Sequence, residues 1–357
     1  MVAMKIKTDS ISGDSANLDL LRSLAVIFVV LSHIPALESI TAPYFYDIHA
    51  LGTLGVIIFF VHTSLVLMLS LERQTEILGE RQRALLFFIR RAFRIYPLSI
   101  LVVLVVSVLA SIYGGAYGDT LAYSTVFSNL LLIQNFTGDA SIPGTLWSLP
   151  FEIQMYLVLP ALYLFTSRAY KSAPRHVFLL WIGSVGSLII LWRFGLNYKP
   201  FKFIPCFLPG IIAFTLRDSN RKLAPCALFF YVGLVAILYP CAIAYWKISV
   251  ELAWPVCLGL GIIIPWCSEI KVNWLRSAGK MIARYSYGIY LVHDPCIDYA
   301  FRYPRVVSPT LQWGIFVTGT IVLSYLAYHW IEKPGIDLGR QLAYRYKRSV
   351  VTNIAVD

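Results

Sequence analysis

Apolar residues in this chain gather in runs close to the roughly 20 residues that a helix needs to cross a bilayer. The runs recur along almost the whole length, separated by short polar stretches, with no long linker, low-complexity tract or internal period. This pattern predicts an all-α fold, a polytopic transmembrane helix bundle of about ten spans. They fall at about 18–38, 52–71, 95–113, 146–166, 176–194, 200–216, 223–246, 249–268, 282–301 and 310–331. An even number of spans puts both termini on one side. The expected organisation is an N-terminal segment over 1–17, one membrane domain over 18–334 and a basic tail over 335–357. The polar opening makes a poor signal-peptide start, and no small-x-small cleavage site follows Leu37, so the first span is expected to be retained. Segment 120–137 is moderately apolar but carries Ser, Asn and Gln, and is assigned to an outer-loop helix lying along the membrane surface.

Composition agrees with the pattern. The 357 residues are 58% hydrophobic, 15% aromatic and 14% charged, with a mean hydropathy of +0.69; a soluble domain has about 45–50% apolar and about 25% charged residues. A water-soluble globule is thereby excluded. Charge then gives direction. Of the 30 Lys and Arg residues, 24 lie on the side of the N-terminus and six, Arg193, Lys199, Lys202, Lys247, Arg302 and Arg305, on the other. The loop 114–145 has none but holds Asp119 and Asp139. Cytoplasmic loops carry the Lys/Arg excess, so both termini are expected in the cytoplasm. Topology also accounts for the net charge of +11 without a nucleic-acid partner. The six cysteines show no CxxC spacing and read as small buried hydrophobes. No HExxH, Cys/His cluster or carboxylate quartet suggests a metal, and no Walker loop or dinucleotide fingerprint suggests nucleotide-driven work.

Ionisable groups within spans cost about 2.5–3.5 kcal/mol each on insertion scales, which makes them functional candidates. The first span, "LDLLRSLAVIFVVLSHI", carries Asp19, Arg22 and His33. Arg22 and His33 are eleven residues apart, so in a continuous helix they share one face, separated by roughly 16 Å along the axis, with Asp19 a turn below Arg22. Two readings stay open: a functional stripe, or a snorkelling Arg22 and a His33 that hydrogen-bonds between helices. Glu152, in "WSLPFEIQMYLVLP", enters its span at a depth like that of His33, as an orienting carboxylate for a base would. Arg90, Arg91 and Arg94 cluster at the inner end of the third span, as an anchor or as forks for a cytoplasmic phosphate-bearing ligand. His293 in "YLVHDP" is an interface histidine or a wall of an acceptor site. His62 is a helix-packing group or a polar element of a tunnel. His329, Glu332 and Lys333 are expected to cap and anchor the end of the tenth span.

Several segments together resemble a family. "LDLLRSLAVIFVVLSH", "LGVIIFF", Arg91-x-x-Arg94 followed by "IYPL", "WSLPFEIQMYLVLP", "YSYGIYLVHDP" and "WIEKP" occur in the order and placement of the acyltransferase-3 family of integral membrane O-acyltransferases. The resemblance covers 18 to about 334. It implies transfer of an acyl group, usually acetyl, from cytoplasmic acyl-CoA to a hydroxyl of a carbohydrate or lipid-linked saccharide of a surface or exported glycan. It further implies His33 as catalytic residue with Arg22 and Glu152, and Arg90, Arg91 and Arg94 on the donor side; Asp19, His62 and His293 are candidate acceptor-side residues. The bacterial inner (plasma) membrane, with its lipids as surroundings, is the implied location. One departure is plain: where many relatives have Ser-Gly-Phe after the paired Phe of span two, this chain has His62-Thr63-Ser64 further along "FFVHTS". The rival reading from another class is a transporter or flippase of a polar or lipid-linked saccharide, for which the Pro-rich "FIPCFLPG" would suit a broken helix.

Overall fold

The computed structural model of the chain describes residues 15–40, 46–73, 79–113, 121–169, 172–218, 223–246, 250–302 and 308–354. The N-terminal segment as far as residue 14, the loop stretch 114–120 with Asp119, and Lys171, Arg221, Lys222, Lys247 and Arg305 fall outside them.

The described residues form helices. In chain order these are α1 (Ala16–Ser32), α2 (Pro35–Ile40), α3 (Ile48–Glu72), α4 (Glu80–Tyr113), α5 (Tyr123–Leu131), α6 (Gln134–Thr137), α7 (Leu149–Ala169), α8 (Ala173–Arg193), α9 (Ile204–Thr215), α10 (Pro225–Trp246), α11 (Val250–Ile263), α12 (Asn273–Ile297), α13 (Pro309–Ala327) and α14 (Lys333–Ile354). A 3₁₀ turn, Gly144–Ser148, leads into α7. π-helical turns, Asp298–Arg302 and Tyr328–Glu332, follow α12 and α13.

Each expected span coincides with helix. Six segments among the described residues are long and apolar enough to cross a membrane: Ile48–Glu72, Glu80–Ile112, Gly144–Ala169, Ala173–Arg193, Pro225–Trp246 and Pro309–Ser349. The other four differ in length or polarity. Helices α1, α9 and α11 have 17, 12 and 14 residues, and α12 carries Arg276, Lys280, Arg284 and Asp294 along its 25.

Local physics corrects one sequence expectation. The first span is not one helix to residue 38: α1 stops at Ser32, and His33 and Ile34 leave the helix before α2 begins at Pro35. Proline has no N–H to donate to a preceding turn and disfavours helical backbone at the residue before it, while it suits a first helical position. The stripe drawn from Arg22 therefore ends one residue short of His33. The basic stretch after 334 is helical as far as Ile354, and its helix α14 packs on α4. Gly335 and Gly339 let the two helices approach, since a Cβ at Gly335 would come 2.7 Å from the Phe93 carbonyl oxygen. Further along, buried Leu86 and Ala343 pack together with Tyr346 against them.

The helices divide into two compact units that interleave in sequence. Unit 1 takes the described parts of 1–32, 37–72 and 161–283. Here α1 and α9 both lie against α3. Gly55 admits the backbone of Ala25, and Gly210 admits that of Val61; small residues at helix contacts are how apolar helices gain close packing in lipid. Ser64 Oγ donates to the Phe207 carbonyl at 2.7 Å, and Trp181 Nε1 to the Pro205 carbonyl at 3.0 Å. The start of α1 is capped from a distance. Ser15 Oγ accepts from the Leu18 N–H at 3.3 Å and donates to Glu269 Oε1 at 2.6 Å, while Glu269 Oε2 accepts from the Asn17 N–H at 3.2 Å.

Unit 2 takes the described parts of 33–36, 73–160 and 284–357. Its core contacts are α4 with α14 and α4 with α5. Short α5, nine residues and so about 14 Å long, reverses the usual burial. Its polar Thr125, Ser128 and Asn129 are buried, while Tyr123, Phe127 and Leu131, one turn apart along the opposite face, are exposed.

Candidate active site

Unit 2 draws together residues from segments far apart in sequence. His33, just past the end of α1, meets His293 of α12 with ring centroids 5.1 Å apart and planes at 73°. His293 is fully buried. Its Nδ1 lies 2.9 Å from the Ile289 carbonyl oxygen one turn earlier; that oxygen can only accept, so Nδ1 carries the proton and Nε2 of the neutral ring is an acceptor. Among the described residues, Nε2 is buried with no hydrogen-bond partner.

One turn back on α12, Tyr290 packs against His293 with centroids 6.2 Å apart. Its hydroxyl donates to the Thr145 carbonyl at 2.5 Å and lies 2.7 Å from Ser148 Oγ. These bonds tie α12 to the 3₁₀ turn ahead of α7. The loop before that turn is held by Asn129, whose Nδ2 donates to the Thr125 and Ala140 carbonyls at 2.8 Å each while Oδ1 accepts from the Ile142 N–H at 2.9 Å. At the loop's edge Asp139 accepts from Thr137 Oγ1 at 2.6 Å and Thr125 Oγ1 at 3.3 Å. The nearby hydroxyls of Ser128, Thr137 and Thr125 hold its carboxyl below the usual carboxylate range.

A second polar group of unit 2 surrounds the arginines of α4. Arg94 pairs with Glu332 at 3.2 Å, the carboxylate being wholly buried. Glu332 is thus an ion-pair partner of α4 rather than only an end cap for its own helix. Glu152 Oε2 accepts from Tyr156 Oη at 2.6 Å, and Arg91 and Arg94 are close enough to act electrostatically on the same Tyr156. Tyr287 Oη donates to the Ile95 carbonyl at 2.8 Å. Arg90 adds a buried Nε with no hydrogen-bond partner among the described residues.

The sequence-selected residues therefore fall in two sets. His33, His293, Glu152, Arg90, Arg91 and Arg94 belong to unit 2. Asp19, Arg22 and His62 belong to unit 1, where the Arg22 guanidinium carbon stands 6.0 Å from the Phe59 ring centroid and interacts electrostatically with buried His62. The Asp19 carbonyl accepts from Ser23 Oγ at 2.8 Å. Sequence reasoning matched His33 to Glu152 by depth; the ring found against it is His293. Tyr290, Ser148 and Thr145 were missed as individuals, although "WSLP" and "YGIY", which carry three of the interacting positions or their neighbours, had been singled out as segments. Among the described residues no group of His, Cys, Asp and Glu could hold a metal ion.

The motifs that carried the resemblance are thus structurally engaged with one another: "WSLP" with "YGIY", and Arg94 with the "WIEKP" glutamate. The chain belongs to the acyltransferase-3 family of integral membrane acyltransferases, whose sequence profile, described as "Acyltransferase domain", matches residues 15–329. It is an acyltransferase. Among curated relatives, Nodulation protein 10 of Rhizobium leguminosarum bv. viciae is 24% identical, the match covering 94% of this chain and 96% of that protein. Peptidoglycan O-acetyltransferase OatA of Listeria monocytogenes is 25% identical over 89% of this chain, which spans 55% of the length of that relative. The O-acetyl transferase of Shigella phage Sf6 is 24% identical over 88% of this chain and 94% of its own. No solved structure matches the sequence significantly.

Proposed function

We propose that the protein transfers an acetyl group from acetyl-CoA to a hydroxyl of a saccharide destined for a surface or exported glycan, with His33 as general base. The observation that carries the reading is the imidazole pair, a half-buried His33 against a buried His293 whose proton is fixed on Nδ1. His33 takes the proton from the acceptor hydroxyl as the hydroxyl oxygen attacks the thioester carbonyl, the carbon–sulfur bond then breaks, and CoA leaves as its thiol with the proton returned by His33; a positioned base of this kind contributes about 10²–10⁴-fold. The names of the relatives, two of them O-acetyl transferases and one acting on peptidoglycan, support acetyl as the group and a saccharide as the acceptor.

Bound acyl-CoA supplies the activated acyl group, and the donor set on α4 fits its polyphosphate: three guanidinium groups, with the buried Nε of Arg90 able to donate. Within that set Arg94 is held in place by its pairing with Glu332, and Glu152 and Tyr156 steady its flank. Ten spans with both termini in the cytoplasm, in a bacterial plasma membrane, put these arginines on the cytoplasmic side; α5, expected along the outer surface, instead reaches down α4, its Leu131 carbonyl accepting from Tyr96 Oη at 3.3 Å, two residues past Arg94.

Membranes containing the protein, incubated with acetyl-labelled acetyl-CoA, test the reaction. Label should pass to extractable glycan, and His33→Ala at matched expression should lower the rate at least 100-fold. Transfer near the wild-type rate by His33→Ala would remove His33 from the mechanism.

A further inference from the structure

Polar side-chain atoms that are buried without a partner are costly and rare, because they have given up water for nothing. Unit 2 has three of them joined through one short turn. Gln134 is 3% exposed, and its Nε2 donates to the Leu146 carbonyl at 3.3 Å. A carbonyl can only accept, so the amide nitrogen faces Leu146 and Oε1 is the atom left buried and unmatched. Thr145, the neighbour of Leu146, is 1% exposed, and its Oγ1 is buried and unmatched as well. Its carbonyl receives Tyr290 Oη, and Tyr290 leads along α12 to the unmatched Nε2 of His293, against which His33 is packed.

From this convergence we infer that Gln134, Thr145 and His293 form an acceptor subsite that hydrogen-bonds the non-reacting hydroxyls of a neutral sugar ring. The inference rests on the proposed glycan acetylation and specifies its acceptor side. Chemistry selects the ligand class. Gln134 Oε1 and His293 Nε2 are acceptors, and Thr145 Oγ1 both donates and accepts, so the matching ligand brings hydroxyl or amide donors. A carboxylate or phosphate only accepts and has nothing to give two of the three atoms. An acyl chain would leave all three unmatched. A pyranose presents adjacent hydroxyls that donate and a ring oxygen that accepts from Thr145. The Ser148–Tyr290–Thr145 bonds and the Asn129 clasp keep the turn rigid, as a site selective for one hydroxyl must be.

Thr145→Val tests this, because it removes only the hydroxyl and keeps the shape. A purely structural Thr145 gives one pattern and a binding Thr145 the opposite. Removing an unmatched buried hydroxyl should leave the thermal midpoint of the purified protein equal or higher, while the apparent KM for envelope glycan extracted from the native cell rises at least fivefold and the KM for acetyl-CoA stays unchanged. Thr145→Ser, which keeps the hydroxyl, should restore the glycan KM, and Gln134→Leu should raise it. An unchanged glycan KM in Thr145→Val and Gln134→Leu would overturn the subsite. So would a fall in thermal midpoint with both KM values rising together. If the wild-type protein labels no glycan at all, the acetylation reading itself has failed, an outcome separate from these.

Discussion

Asp139 shows how one side chain is tuned by neighbours of no catalytic interest. Hydroxyls around it favour its ionised form, so its folded pKa lies below that of the unfolded chain. The sign follows: Asp139 adds stability at pH values above the unfolded carboxylate pKa, and that contribution disappears as pH falls through the lower, folded value. Thermal midpoints of wild type and Asp139→Asn should converge as the medium is acidified and separate towards neutrality, the wild type being the more stable. A constant difference across that range would sink the assignment. At the same scale, the residues of the candidate site were partly legible. Burying a charge in lipid is costly, which picked out His33, Glu152 and the α4 arginines from the sequence. Depth along a helix, however, carries no azimuth: two groups at one level meet only if their helices turn the right faces together. That is why His293 was not foreseen as the ring against His33. Uncharged Thr145 and Tyr290 gave no signal of cost at all, since a hydroxyl passes unnoticed in an apolar run.

The capping of α1 belongs to the helices. Its free N–H groups are met by Ser15 and by Glu269, whose negative charge sits at the positive end of the helix dipole. Ser15→Ala should lower stability by about 0.5–2 kcal/mol, read as a shift of the unfolding midpoint of detergent-solubilised protein; no shift would mean that Glu269 alone suffices. Elements were the most legible level of this chain, because hydrophobic runs of bilayer length report helix directly. Their ends were less so. The stop at Ser32 was written in Pro35, two residues past His33, but an apolar run hides a single proline. The π-helical turns at 298–302 and 328–332 had no periodic trace. Short α9, begun with Pro205 in its first turn, kept its full apolar character while being too brief to cross a bilayer unaided.

Across the molecule, the interleaving of two units was invisible in a sequence with neither linker nor composition change. Each unit is built from segments that hydropathy treats alike, and only tertiary contact sorts them. A chain ended after residue 283 keeps every segment of unit 1 but loses α12 from Arg284 onward, α13 and α14. Pulse-chase labelling should show such a chain degraded faster than the full-length protein; equal half-lives would mean that unit 2 does not need those helices. The pairing of Arg94 with Glu332 also sets a clock. At about 5–20 residues per second, the ribosome reaches Glu332 some 12 to 48 s after making Arg94. During that interval the guanidinium waits for its carboxylate, and the helix bearing it stays a client of the insertion machinery until the segment that carries Glu332 has been made.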